Sequence, residues 1–119
     1  MSKTVRFAVS LTIHDGKFQE FQGIAQTMIA GTQKESGALS YDWCLSKDQK
    51  RCRILETYAD ANAVDAHIES AVVRELVPKL LELARLDRFE VYGDPGPKAS
   101  EILAGVGAEI LPLWRGLER

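Results

Sequence analysis

Val5, Phe7, Val9, Leu11 and Ile13 alternate with Arg6, Ala8, Ser10 and Thr12. A period of two with all the apolar residues on one side predicts a half-buried strand, and so a sheet with one covered face. His14-Asp15-Gly16 breaks the pattern, and Asp15 or Gly16 can cap a helix starting just beyond. From there the period changes. Phe18, Phe21, Ile24, Ala25, Met28 and Ile29 mark one face of a helix running to about Glu35, with Ser36-Gly37 ending it. A strand over 39–46 and a strand over 51–58 come next, joined by a polar turn from Lys47 to Lys50 and read as a hairpin.

The stretch from Arg53 to Ser70 reads as a strand running straight into a helix. Ile54, Glu56 and Tyr58 share one strand face, and Asp60 is a good N-cap. Ala63, Val64, Ile68 and Ala71 then repeat at helical spacing to about Val73, with His67 on or beside that stripe. A second helical stretch covers 75–85. Pro78 lies early in it, which predicts a break near 74–77. A fourth strand over 88–92 ends at Gly93-Asp94-Pro95-Gly96-Pro97.

Strand, helix, strand, strand, helix, strand is the order of a ferredoxin-like split βαβ fold of the α+β class, with a four-stranded antiparallel sheet. Its helices cover one face. Ser10, Thr12, Tyr41, Trp43 and Leu55 include residues too apolar for all to meet water on the other, so a homodimer is expected. The domain is read as residues 4–93. Residues 94–119 are read as a C-terminal helical extension, too apolar in Ile102, Leu103, Ile110, Leu111, Leu113 and Trp114 to hang free, packing on its own domain or on a partner protomer.

The chain has 119 residues, room for one domain with a modest core. A formal net charge of −2 offers no basic surplus for nucleic acid. The cluster from Lys47 to Arg53 reads as a solvated hairpin tip rather than a phosphate site. Cys44 and Cys52 do not make a disulfide framework, and no His/Cys spacing suggests a metal. There is no signal core and no run of membrane-spanning length, so the cytoplasm is the expected location.

Three local patterns carry a family resemblance. Gly37-Ala38-Leu39-Ser40-Tyr41 is similar to a "small residue, x, x, Tyr" entry to the second strand. Leu55-Glu56-Thr57-Tyr58 is similar to a Glu-x-aromatic strand end, and Ala63 to Ser70 to an Ala-x-x-x-His-x-x-Ser helix. Together with the element order they resemble the antibiotic biosynthesis monooxygenase family, in its quinol-monooxygenase-like branch of the dimeric α+β barrels. The resemblance implies a small dimer with a pocket between sheet and helices. It implies oxidation of quinols or phenols by molecular oxygen without metal or flavin, isomerisation of a small carbonyl compound, or haem degradation. It puts His67 and Glu56 at pocket positions. Tyr58 stands where haem degraders carry Trp, Val9 where they carry Asn, and Val77 near their haem-ligating His, so haem degradation is not expected. Val72 stands where quinol-monooxygenase-like members often show a second His.

The residues themselves suggest a chemistry. A cofactor-free oxygenase must deprotonate a phenol or hydroquinone, whose anion gives an electron to oxygen more readily than the neutral acid. His67 fits the base, since its unperturbed pKa of about 6.5 leaves it neutral at pH 7. Glu56 would orient the imidazole or stabilise its cation if it turns inward; on residue types alone a solvent-facing Glu56, with His67 at the core margin, is the favoured reading. Tyr58, Trp43 and Tyr41 are candidates to contact a substrate ring, or core residues. The expected set is thus His67 and Glu56 as catalytic groups, a small-molecule substrate and no cofactor. The same pair would serve an isomerase, and a non-catalytic dimer binding a small apolar ligand is the other class left open.

Overall fold

The structure, a computed structural model, describes residues 2–117 and 119. Among these residues the chain forms five strands and four helices. They are β1 (Val5–Ile13), α1 (Phe18–Thr32), β2 (Ala38–Leu45), β3 (Arg51–Tyr58), α2 (Ala61–Glu69), α3 (Ala71–Leu83), β4 (Ala84–Tyr92), α4 (Pro97–Gly105) and β5 (Glu109–Leu111). The sheet order is β2-β3-β1-β4-β5. Each neighbouring pair among the first four strands is antiparallel, as the ferredoxin-like pattern requires, and β5 adds a short parallel edge beside β4.

Alternation decides which face is covered. Val5, Phe7, Val9, Leu11 and Ile13 of β1 all point inward, as do Cys52, Ile54, Glu56 and Tyr58 of β3. Residues paired across an antiparallel ladder lie on the same side of the sheet. Tyr41 opposes Glu56 and Trp43 opposes Ile54, so both β2 aromatics belong to the inner face. That corrects the expected placing of Tyr41 and Trp43 among candidates for an uncovered face: Trp43 packs edge-on to Phe21 of α1 at 6.0 Å between ring centres. The outer face carries Ser10, Thr12 and Leu55 instead.

Two apolar clusters fill the space above the inner face. One joins Leu11, Ile13 and Ile54 to Phe21 and Met28 of α1 and to Leu80 and Leu83 of α3. The other joins Val5, Phe7, Tyr58 and Val91 to Val64 of α2 and to Ala99 and Leu103 of α4.

The helical break falls at Ser70, not at 74–77. Ser70 closes α2 and its side chain accepts a hydrogen bond from the Val73 amide, capping α3. With α3 started there, Pro78 is accommodated inside the helix. Strand β4 starts directly after α3 at Ala84, earlier than the expected Arg88, because Ala84 and Leu86 continue the inward pattern opposite Ile13 and Leu11. Residues 94–119 are not purely helical. After α4, β5 pairs with β4 and brings the segment into the same sheet and core. Leu113, Trp114 and Leu117 stay exposed.

Candidate functional site

The inner face of β3 is where the buried apolar pattern is interrupted. Glu56 is 6% exposed, although its strand neighbours on that face are Ile54 and Tyr58. Only two residues separate β3 from α2. Asp60 takes the helix cap, accepting from the Ala63 amide at 2.9 Å. One turn in, Val64 and His67 face down three residues apart, which sets the imidazole over the strand end that carries Glu56. His67 is 4% exposed.

A third residue, Glu35, completes the group. It sits in the turn between α1 and β2, held by its amide to the Thr32 carbonyl (2.9 Å) and by its carbonyl to the Ala38 amide (3.1 Å). The turn lies close against α2 because residue 37 is glycine. A Cβ there would come to 2.5 Å from the Ala63 Cβ, so any side chain would push the two segments apart. Glu35 Oε1 reaches His67 Nδ1 at 3.0 Å.

The contact with Glu35 favours one tautomer of His67. Glu35 can only be a good partner for Nδ1 if that nitrogen carries hydrogen and donates, which leaves Nε2 with its lone pair. Nε2 lies 3.6 Å from Glu56 Oε1, and that same oxygen accepts a short hydrogen bond from the Tyr58 hydroxyl. At 3.6 Å the two atoms are neighbours but stand outside hydrogen-bond distance. Burial acts on the protonation of each. It pushes the Glu56 carboxyl up to about 7, with the Glu35 charge adding and the Tyr58 hydroxyl opposing. Burial also lowers His67, against the pull of Glu35. Both directions favour the neutral forms, a carboxylic acid beside a neutral imidazole. Tyr41 stacks edge-on to His67, 5.4 Å between ring centres, and burial first, then Glu56, raises its phenol above the usual range.

Part of this group faces a cavity of about 570 Å³ between the sheet and the helices α2, α3 and α4. Its walls are Phe7, Val9, Leu11, Val77 and Phe89 together with Leu103 of α4. Glu56, His67 and Tyr41 line it. Tyr58 and Trp43 are not among the described lining residues. Tyr58, fully buried, stands behind Glu56, and Trp43 packs in the α1 cluster with its indole nitrogen unpartnered. Val72 turns away from the cavity onto Gly31 of α1, where a Cβ would lie 2.9 Å from its Cγ2. Glu35 was missed by sequence reasoning. Its one local signal is its place just before Ser36-Gly37, in a turn that must approach a neighbouring element. Among the described residues, no cluster of three or more His, Cys, Asp and Glu side chains is placed to hold a metal ion, and no helix is long and apolar enough to cross a membrane.

A one-sided α+β sheet with an apolar cavity and a buried His-carboxyl group at its floor defines a class of small pocket-bearing proteins. Residues 4–79 match the antibiotic biosynthesis monooxygenase family, and the chain belongs to it. Among solved structures, MupZ from Pseudomonas fluorescens is similar over 100% of this chain and 91% of its own, at 24% identity and a TM-score of 0.83. A conserved protein from Methanosarcina mazei is similar over 75% of this chain and 90% of its own, at 27% identity and a TM-score of 0.67. SnoaB, a cofactor-independent oxygenase from Streptomyces nogalater, is similar over 81% of this chain and 97% of its own, at 13% identity and a TM-score of 0.68. No curated protein matches the sequence.

Proposed function

We propose that the protein is a cofactor-independent monooxygenase acting on a small phenol or quinol, with His67 as the base. The observation that carries this reading is the neutral imidazole at the cavity floor, its Nδ1 held by Glu35 and its Nε2 free to take a proton. A phenol hydroxyl placed on the floor gives its proton to Nε2, and the Glu35 carboxylate stabilises the resulting imidazolium. The phenolate passes one electron to oxygen. Recombination of the radical with superoxide forms a carbon–oxygen bond, and the imidazolium returns its proton to the peroxide. The base then removes the hydrogen on that carbon, the O–O bond breaks, and the leaving hydroxide takes up a proton as water. One oxygen atom stays as the quinone carbonyl, and the substrate supplies both electrons of the second atom's reduction. Glu56, whose carboxyl burial pushes up to about 7, is the proton source beside the leaving hydroxide.

A second reading, proton relocation in a small carbonyl compound, is favoured by the nearness of Glu56 to His67, 3.6 Å apart, since an isomerase needs one acid and one base side by side. Oxygen uptake separates the two. The first reading expects uptake by metal-free protein with hydroquinones or phenols; the second expects none. With a substrate in hand, His67→Ala should lower kcat about a hundredfold to ten-thousandfold. Glu35→Gln, which leaves the imidazole poorly held, should cost up to about a hundredfold, with thermal melts showing both variants folded. Wild-type turnover by His67→Ala would remove the base assignment. A homodimer is part of this proposal, supported by exposed Leu39, Leu45 and Leu55 on β2 and β3. Light scattering that gives the mass of a single chain at high concentration would end it.

A further inference from the structure

The polar residues lining the cavity fall into a buried set and an exposed set, and most of the remaining lining is apolar. The largely buried set, at the floor, is Tyr41, Glu56 and His67. The exposed set, at the rim, is Glu69 at the end of α2, Arg74 on α3 and Lys98 on α4. The rim charges are not equivalent. Lys98 is committed: its ammonium pairs with the Glu69 carboxylate, and Asp65 adds a second negative neighbour. The nearest acid in sequence to Arg74, Glu75, is engaged with Lys79 at 3.9 Å. Among the described residues Arg74 has no acidic partner within salt-bridge reach. A guanidinium with no acidic partner among the described residues, lining a mainly apolar cavity at its exposed side, presents a planar fork of donors suited to a carboxylate.

We propose that Arg74 reads a carboxylate on the substrate, so that the ligand is an anionic amphiphile: an acidic hydroxyl on a ring at the floor, an apolar body, and a carboxylate at the rim. This deepens the proposed function and rests on its placing of the reacting ring at the floor. It also gives a reason for the segment after residue 79. Ile102 and Leu103 of α4 and Val106 just after it line the part of the cavity that a longer ligand body would fill, and Lys98 ties that helix to α2. A volume of about 570 Å³ is in the range of sites for molecules larger than a single ring.

The test is equilibrium binding, without turnover, of 4-hydroxyphenyl-alkanoic acids of increasing chain length and of their methyl esters. Titrations use the full chain under anaerobic conditions, with wild type and with His67→Ala. The acid of best-fitting length should bind about three- to tenfold more tightly than its ester, in both proteins, and the preference should shrink as salt rises. Arg74→Ala should abolish the preference, bringing acid and ester to equal affinity in that variant, and Arg74→Lys should restore part of it. Lys79→Ala, an exposed cation of the same helix outside the cavity lining, should leave it intact. Equal binding of acid and ester by wild type overturns the proposal. So does a preference that survives Arg74→Ala, or one that Lys79→Ala removes as well. Failure of the oxygenase reading would show as absent oxygen uptake with the acid preference still present.

Discussion

Strands β1 and β3 lie side by side and turn the same face to the same helices, yet they solve burial differently. Every inward residue of β1 is apolar, from Val5 to Ile13. Strand β3 begins the same way with Cys52 and Ile54 and then places a carboxylic acid, Glu56, directly opposite Phe7. The β1 pattern stabilises by removing apolar area from water, an effect indifferent to pH. At Glu56 the same burial acts against the charged form, and the side chain is tolerated because it is held near neutrality by its surroundings, with the Tyr58 hydroxyl and the His67 imidazole as partners. One strand is a wall, and the other is a wall with a reactive group set into it. The difference predicts unlike responses to mutation and to pH.

The largest effect belongs to the apolar strand. Leu11 is fully buried in the cluster beneath α1 and α3. Leu11→Ala should lower the unfolding free energy by about 2–5 kcal/mol, and by the same amount at pH 5 and pH 8. Denaturant titrations at the two pH values check this. A loss that changed strongly with pH would mean that β1 too is coupled to the titrating group, and the contrast between the strands would fail.

The acid-bearing strand should behave the other way. Glu56 titrates near 7 in the folded protein and near 4.5 when free of it. Between those values the folded state holds a proton that the unfolded state has released, so stability falls as pH rises through that window and is level above it. The gap corresponds to about 3 kcal/mol at full extent. Glu56→Gln keeps an acceptor for Tyr58 and cannot ionise. It should therefore be close to wild type in stability at pH 5 and more stable than wild type at pH 8, by up to about 3 kcal/mol. His67 contributes an opposite limb. Its lowered value keeps it neutral in the fold while the unfolded chain protonates below about 6.5, so its share of stability is lost as pH falls. Taking the difference between variant and wild type at each pH removes most of that limb. A variant equally stable or less stable than wild type at pH 8 would show that Glu56 is ionised without cost, and the neutral-pair account would be wrong.

The contrast between the strands also marks what a sequence can carry. The β1 pattern was legible because alternation reports a face directly, and the four antiparallel strands could be placed from such periods. Strand β5 was not, since Glu109 to Leu111 is too short for a period and is recruited by the edge of β4. The place of the helical break was obscured by Pro78, a strong local signal, when the decisive one was the cap formed by Ser70. At the site, Glu56 and His67 could be picked out because they interrupt apolar stripes on adjacent elements. Glu35 interrupts nothing. It is a polar residue in a polar turn, and only the close approach of that turn to α2 at Gly37 makes it a neighbour of His67. Tyr58 shares the strand face of Glu56, and no period distinguishes a ring that meets a ligand from one that backs the acid.

That position behind the acid gives the smallest and most specific effect. Tyr58 is fully buried, and its hydroxyl donates to the Glu56 oxygen that faces His67. A donor to a carboxyl oxygen favours the ionised form, and here it is the influence that holds Glu56 down against burial and against Glu35. Tyr58→Phe keeps the ring and its packing on Phe7, 5.1 Å between centres, and removes only the donor. The Glu56 carboxyl should then titrate above its present value of about 7. The declining limb of stability should extend to higher pH, while stability at pH 5 changes by about 1 kcal/mol or less. The cost should grow toward pH 9, where wild type retains a donor for the carboxylate and the variant has none. Direct observation is available from the carboxyl carbon resonance of Glu56, tracked by NMR through a pH titration of wild type and variant. An unmoved midpoint would mean that Tyr58 supports the wall alone and takes no part in setting the proton on Glu56. An upward move, with the Leu11→Ala loss still indifferent to pH, would locate the titration in β3 and its partners and leave β1 as the inert strand.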